Sequence, residues 1–186
     1  MNKSQKGFTL VELLVVIALI AVLAVAVILT LNPAELLKQG RDSTRISDLT
    51  NMNIALSLFF ADVSTSTMPS QNNCYAYAVS GLTYAMCQTR FSGLSGGTLV
   101  TSSAQTVNGS GWLPINLTLI SSGAPLPRYP IDPTNNNTYY YAFRASTTVG
   151  YYEINAILES TKYASQMSTD GGNNNNVYEV GTNLNL

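Results

Sequence analysis

A single carboxylate, Glu12, stands inside KGFTLVELLVVIALIAVLAVAVIL, residues 6–29, a run that is otherwise almost wholly apolar. An acidic side chain at mid-membrane depth costs roughly 2.5–3.5 kcal/mol, so a carboxylate kept there calls for something that offsets the cost. The other residues with chemical potential are few. Cys74 and Cys87 are the two cysteines, and Asp132 and Asp170 are the acids of two oxygen-rich loops. The chain has no histidine, which removes the commonest general base and the commonest neutral metal ligand. It has no P-loop, no GxSxG and no carboxylates paired at close spacing. Its many serines and threonines lack a base to activate them. No enzyme activity is expected.

Charged residues make up 10% of the chain, against about 25% in an ordinary soluble domain, and the net charge is −1. No basic footprint is present, so DNA binding is not indicated. Beyond the first third, Tyr, Asn, Ser, Thr and Gly dominate, a composition that fits an uncharged polar surface facing the cell exterior.

Cys74 and Cys87 are spaced too widely for a redox or zinc CxxC, and no other ligands accompany them. If the segment lies outside the cytoplasm, a bridge between them closes a short loop worth about 3 kcal/mol in the chain-entropy model. The alternative is two buried free thiols. Asp132-Pro-Thr-Asn-Asn-Asn and Asp170-Gly-Gly-Asn-Asn-Asn-Asn carry the carboxylate and amide oxygens that calcium takes in sets of six to eight. The alternative for each is a solvated Asn/Gly turn.

The apolar run from Phe8 to Leu31 is interrupted only by Thr9, Glu12 and Thr30. As a helix it spans about 36 Å, enough to cross about 30 Å of hydrocarbon. Lys3 and Lys6 precede it, which places the short end in the cytoplasm and the remainder outside. A secretory signal peptide fits poorly, because its apolar region is shorter and ends at a small-residue cleavage site. A plain membrane anchor explains the length and leaves Glu12 without a partner.

A third reading uses the residues as a set. Lys6-Gly7-Phe8-Thr9-Leu10-Val11-Glu12-Leu13-Leu14-Val15-Val16-Ile17 resembles the class III signal of type IV pilins and type II secretion pseudopilins. The resemblance implies a leader, residues 1–7, cleaved between Gly7 and Phe8 by a prepilin peptidase, with N-methylation of Phe8. It implies a transmembrane assembly helix over 8–31, held in the inner membrane by lipid before assembly. It also implies a cytoplasmic N-terminus, an inner-membrane assembly platform, and a helical polymer of this chain with other pilins or pseudopilins. In that setting the new α-amine of Phe8 on one subunit meets Glu12 of a neighbour, and Glu12 is an assembly residue. Major pseudopilins of type II secretion hold calcium in a C-terminal loop, and Tyr129-Pro-Ile-Asp-Pro-Thr-Asn-Asn resembles the segment before their last strands. The competing function is a membrane-anchored cell-surface binding protein that never polymerises.

The elements that must position these residues follow from periodicity. Pro33 removes a backbone hydrogen bond and clashes with the preceding turn. Helix-forming composition resumes at Ala34, and Ile46, Leu49, Met52 or Asn53, Leu56 and Phe59 form one apolar stripe. A helix kinked near Pro33 is expected from Phe8 to about Asp62, with residues 32–62 continuing into a head of residues 63–186. Strands are expected at Tyr75–Val79, Leu82–Met86 and Thr98–Thr101, with an extended stretch over Trp112–Ile120. The alternations at Thr138–Ala145 and Gly150–Glu159 predict a half-buried antiparallel pair, and Val177–Val180 a further strand. The expected fold is α+β, a long N-terminal helix whose C-terminal half packs on a small antiparallel sheet.

Overall fold

The computed structural model describes residues 7–64 and 67–186. Residues 1–6, with Lys3 and Lys6, therefore lie outside the described part of the expected leader. The chain divides into two compact units, residues 1–37 and 38–186.

The first unit carries helix α1, Leu10–Leu31. Its stretch Leu10–Ile28 is long and apolar enough to cross a membrane, with a mean hydropathy of 3.2 and none of it buried. Apolar side chains are exposed all round it, which suits a helix surrounded by lipid or by other helices. Asn32 ends α1 in the left-handed region, at φ 42°. Asparagine tolerates that conformation better than most residues. The Asn32 carbonyl and side-chain oxygen both accept from the Glu35 N–H, so Asn32 also opens helix α2, Pro33–Asp62. Pro33 stands at the first helical position, where its missing N–H costs nothing. The interruption expected near Pro33 is thus a one-residue break between two helices.

The second unit is built on residues 38–62 of α2 and a five-stranded sheet. The strands are β1 (Cys74–Tyr77), β2 (Leu99–Ser102), β3 (Ala142–Ala145), β4 (Tyr152–Ala156) and β5 (Tyr178–Gly181), in the order β2-β1-β3-β4-β5. β3 pairs antiparallel with β4, Phe143 opposite Ile154, and β5 adds antiparallel on the far side. These are the three C-terminal strands the alternation predicts. The sheet is mixed rather than wholly antiparallel, because β1 and β2 pair parallel. The chain between them passes through a short helix, α3 (Tyr84–Gln88), which gives it the length to return in the same direction.

One face of the sheet packs Tyr75, Phe143, Tyr152 and Ile154 against Leu49, Met52, Leu56 and Phe59 of α2. The helix stripe therefore recurs at three- and four-residue steps, as its period requires. At its start, Arg45 takes the buried position and Ile46 only a partly buried one. The other face packs Cys74, Ala76 and Ala142 under Cys87, Phe91 and Leu94. Every residue of β3 and β4 is buried, so the pair is covered on both faces rather than half-buried.

Two segments differ from their sequence expectation. Leu82–Met86 is not a strand: Thr83 caps α3 by accepting from the Met86 N–H at 3.4 Å. Trp112–Ile120 is not extended throughout. It forms an isolated bridge, Asn108 to Asn116, and one turn of 3-10 helix at Leu117–Leu119, which Asn116 caps. Its apolar side chains reach the core one by one from a loop, and Pro114 withholds a ladder donor.

Candidate functional site

The Gly7–Phe8 bond precedes the first helical residue, in exposed backbone without regular structure. A Cβ built on Gly7 meets nothing within 4 Å, so nothing within this chain's own packing demands glycine there. Phe8 is 82% exposed. Two residues later α1 begins, and Thr9 is its N-cap.

Thr9 and Glu12 form a capping box. The Glu12 carboxylate accepts from the Thr9 N–H and from the Thr9 hydroxyl, both at 2.8 Å. The Thr9 Oγ1 in turn accepts from the Glu12 N–H at 3.2 Å. Two orphan donors at the helix start are satisfied reciprocally, and the carboxylate sits where the helix dipole favours negative charge. The sequence reading leaves Glu12 without a partner in its own chain; the structure supplies Thr9. The Thr-x-x-Glu spacing ahead of an apolar run is the signal that carries it.

A second cluster joins α2 to the loops of the head. Arg45 is fully buried and grips Asp132 with two parallel hydrogen bonds, Nε to Oδ2 at 2.7 Å and Nη2 to Oδ1 at 2.8 Å. Its Nη1 lies 2.9 Å from Asp42 and 2.6 Å from Glu159. Arg41 adds a second fork to Glu159, at 2.8 and 2.6 Å. Asp42 accepts from the Glu159 and Ser160 N–H groups and the Ser160 hydroxyl. Hydrogen bonds from Arg41, opposed by partial burial and joined by those from Arg45, hold the Glu159 carboxyl down to about 2. Burial alone would lower the Arg45 guanidinium, but Asp132, Glu159 and Asp42 outweigh it and raise it above its ordinary value.

Cys74 on β1 and Cys87 on α3 are joined by a disulfide with Cα atoms 6.3 Å apart, within the range such bonds adopt. It ties α3 to the sheet face it covers.

The two loop acids are both engaged within the chain. Asp132 is 2% exposed and paired with Arg45, and its Oδ1 also accepts from the Thr134 N–H. Asp170 spends one oxygen on the Gly172 N–H and the other on the Glu179 N–H. Among the described residues no group of three Asp, Glu, Cys or His side chains comes together to hold a metal. Both loops are local turns closed by their own aspartates.

With this geometry in place, comparison with known families shows that residues 2–28 match the prokaryotic N-terminal methylation motif. That motif is the signature of type IV pilin and pseudopilin precursors, a structural family rather than a catalytic one. No curated protein and no solved structure matches the chain. The motif covers Gly7, Phe8, Thr9, Glu12 and the apolar helix as far as Ile28. It implies processing by a prepilin peptidase and assembly with other pilins, and with the apolar α1 it fits anchoring in a membrane. The ion-pair cluster and the disulfide lie outside it.

Proposed function

We propose that the chain is a structural subunit of a type IV pilus or a type II secretion pseudopilus, cut between Gly7 and Phe8, methylated on Phe8 and polymerised into a helical filament. The supporting observation is the methylation motif laid on an α1 that exposes apolar side chains on every side and carries one carboxylate in its first turn. Before assembly lipid surrounds that helix in the inner membrane, with the N-terminus cytoplasmic and the head outside. After assembly neighbouring α1 helices, of this chain and of other pilins, replace the lipid at an assembly platform.

Glu12 then changes partners. Cleavage places a cationic α-amine on Phe8. In the filament the amine of an incoming subunit meets Glu12 of a subunit already in place. Two buried charges that are costly apart become tolerable as a pair. The pair also fixes axial register, since apolar helices otherwise slide past each other with little penalty.

Immunoblotting of sheared filaments and membrane fractions tests this. Glu12→Leu is expected to accumulate in membranes, cut at Gly7 but depleted from filaments. A Gly7→Leu chain is expected to keep its leader and stay in the membrane. Normal filament yield from Glu12→Leu overturns the role of Glu12. A native chain that never reaches sheared material, and keeps residues 1–7, indicates the non-polymerising surface protein instead.

A further inference from the structure

On the disulfide face of the sheet, β4 and β5 bury two carboxyl groups that assembly does not use. Glu153 is fully buried and Glu179 is 2% exposed. Asn155 stands opposite Glu179 in the β4–β5 register, so Glu153 and Glu179 are diagonal neighbours on one face. Across that diagonal the two carboxyls are close enough for each to act on the protonation of the other. Each has one oxygen served by ordinary donors. The Asn155 amide donates to Glu153 Oε1 at 2.9 Å, and the Asn174 N–H to Glu179 Oε2 at 3.0 Å. The other oxygen of each, Glu153 Oε2 and Glu179 Oε1, is buried with no donor.

The chain around the pair is built to enclose it. A Cβ on Gly172 would stand 1.9 Å from Glu179 Oε2, so the Asp170-Gly-Gly-Asn-Asn turn closes directly onto that carboxyl. Leu186 also returns here: its N–H bonds the Glu153 carboxyl, and its oxygen accepts from the Ser92 N–H at 2.5 Å. The remaining charged groups do not neutralise two carboxylates. From β3, Arg144 attracts Glu153, but its guanidinium is spent on the Gln71 and Ser92 carbonyls. Arg90, after α3, turns its guanidinium to the Thr138 and Tyr140 carbonyls and offers this cluster only its own carbonyl. From the turn before β5, Asp170 adds a further negative charge beside Glu179.

We propose that Glu153 and Glu179 form a proton-held latch, in which one proton shared between the two carboxyls keeps β5 and the C-terminal residues on the sheet and its loss releases them. The shared proton gives each orphaned oxygen its missing partner. Two bare carboxylates in the same buried space repel each other and lack donors. Burial first, then the charge of Glu179, pushes the Glu153 carboxyl up to about 8 from an ordinary 4.5, against the bonds from Asn155 and Leu186. Burial raises Glu179 as well. Below about pH 4.5 the latched and released states both hold the proton. Between that value and about 8 only the latched state does, so the latch weakens as pH rises through this window.

The test is amide exchange of the full chain in detergent micelles with chelator present, read over residues 178–186 and corrected for intrinsic rates. Protection there is expected to fall by about tenfold per pH unit between pH 6 and about 8, while α2 and β3 keep theirs. In Glu153→Gln the fall is expected to weaken, because only the burial of Glu179 then remains. Equal pH dependence in that variant, a parallel loss across α2 and β3, or no fall in the native chain each overturns the latch. Should Glu153→Gln fail to fold, carbon-13 titration of the glutamate carboxyls in the native chain decides. A midpoint near 8 that moves with the β5 amide signals is expected, and ordinary glutamate midpoints for both carboxyls overturn it.

Discussion

Glu12 has a partner in its own chain. Its carboxylate closes the capping box with Thr9, which satisfies the first turn of α1. Thr9→Ala removes the hydroxyl and is expected to cost that turn about 1 kcal/mol. Faster amide exchange at residues 10–13 in micelles, with the rest of α1 unchanged, is the result to look for. Asp132 poses the complementary case. Its partner Arg45 lies 87 residues away in sequence, and the pair is fully desolvated. Asp132→Asn leaves a buried guanidinium short of its strongest counter-charge, and a loss of about 3 kcal/mol in denaturant unfolding is expected. Arg45→Met combined with Asp132→Leu is expected not to recover that loss, since Arg45 also pairs with Asp42 and Glu159 and its removal leaves the buried Asp42 carboxylate without a cation. A double variant as stable as the native chain would contradict this.

At the scale of elements, the head depends on two ties between segments with few regular bonds of their own. The disulfide fixes α3 to β1, and its reduction is expected to lower unfolding stability by about 3 kcal/mol. Two alkylatable thiols in unreduced, exported protein would remove that tie. Arg41, Arg45 and Glu159 fix the segment after β4 to α2. Glu159 is held down to about 2 from an ordinary 4.5, so its contribution is complete above about pH 4.5 and is lost as pH falls toward 2. Acid unfolding of Glu159→Gln is expected to show less dependence on pH across that range than the native chain. The elements most readable from sequence were those whose signal is periodic and local: α1, the stripe of α2, and β3, β4 and β5. The methylation motif at residues 2–28 was readable for the same reason, because its spacing is short and fixed. What escaped was set by distant contacts. The parallel pairing of β2 depends on a crossover through α3, which Thr83 caps into a helix where composition favoured a strand. Trp112–Ile120 has strand-like composition, yet its side chains are placed by the core and not by a ladder. The partners of Asp132 and Asp170 within the chain were hidden too, because sequence shows the oxygens of a loop and not the donors that meet them.

At the scale of the whole chain, the division at Leu37 and Lys38 separates two physical tasks. Over Leu10–Ile28 the first unit is an apolar helix that suits lipid or the company of other helices. The second has its own two-faced core and needs neither. A chain beginning at Lys38 is accordingly expected to be soluble without detergent and to unfold cooperatively, and aggregation on removing residues 1–37 would argue that the head relies on α1. In the proposed function filament assembly joins the two tasks and begins with the cut at Gly7. Mass spectrometry of the N-terminal peptide from protein sheared off the cell surface tests this most directly. The expected peptide starts at Phe8 and carries one added methyl group on its amine. A surface-borne chain that still begins with residues 1–7, or that starts at any residue other than Phe8, would contradict it.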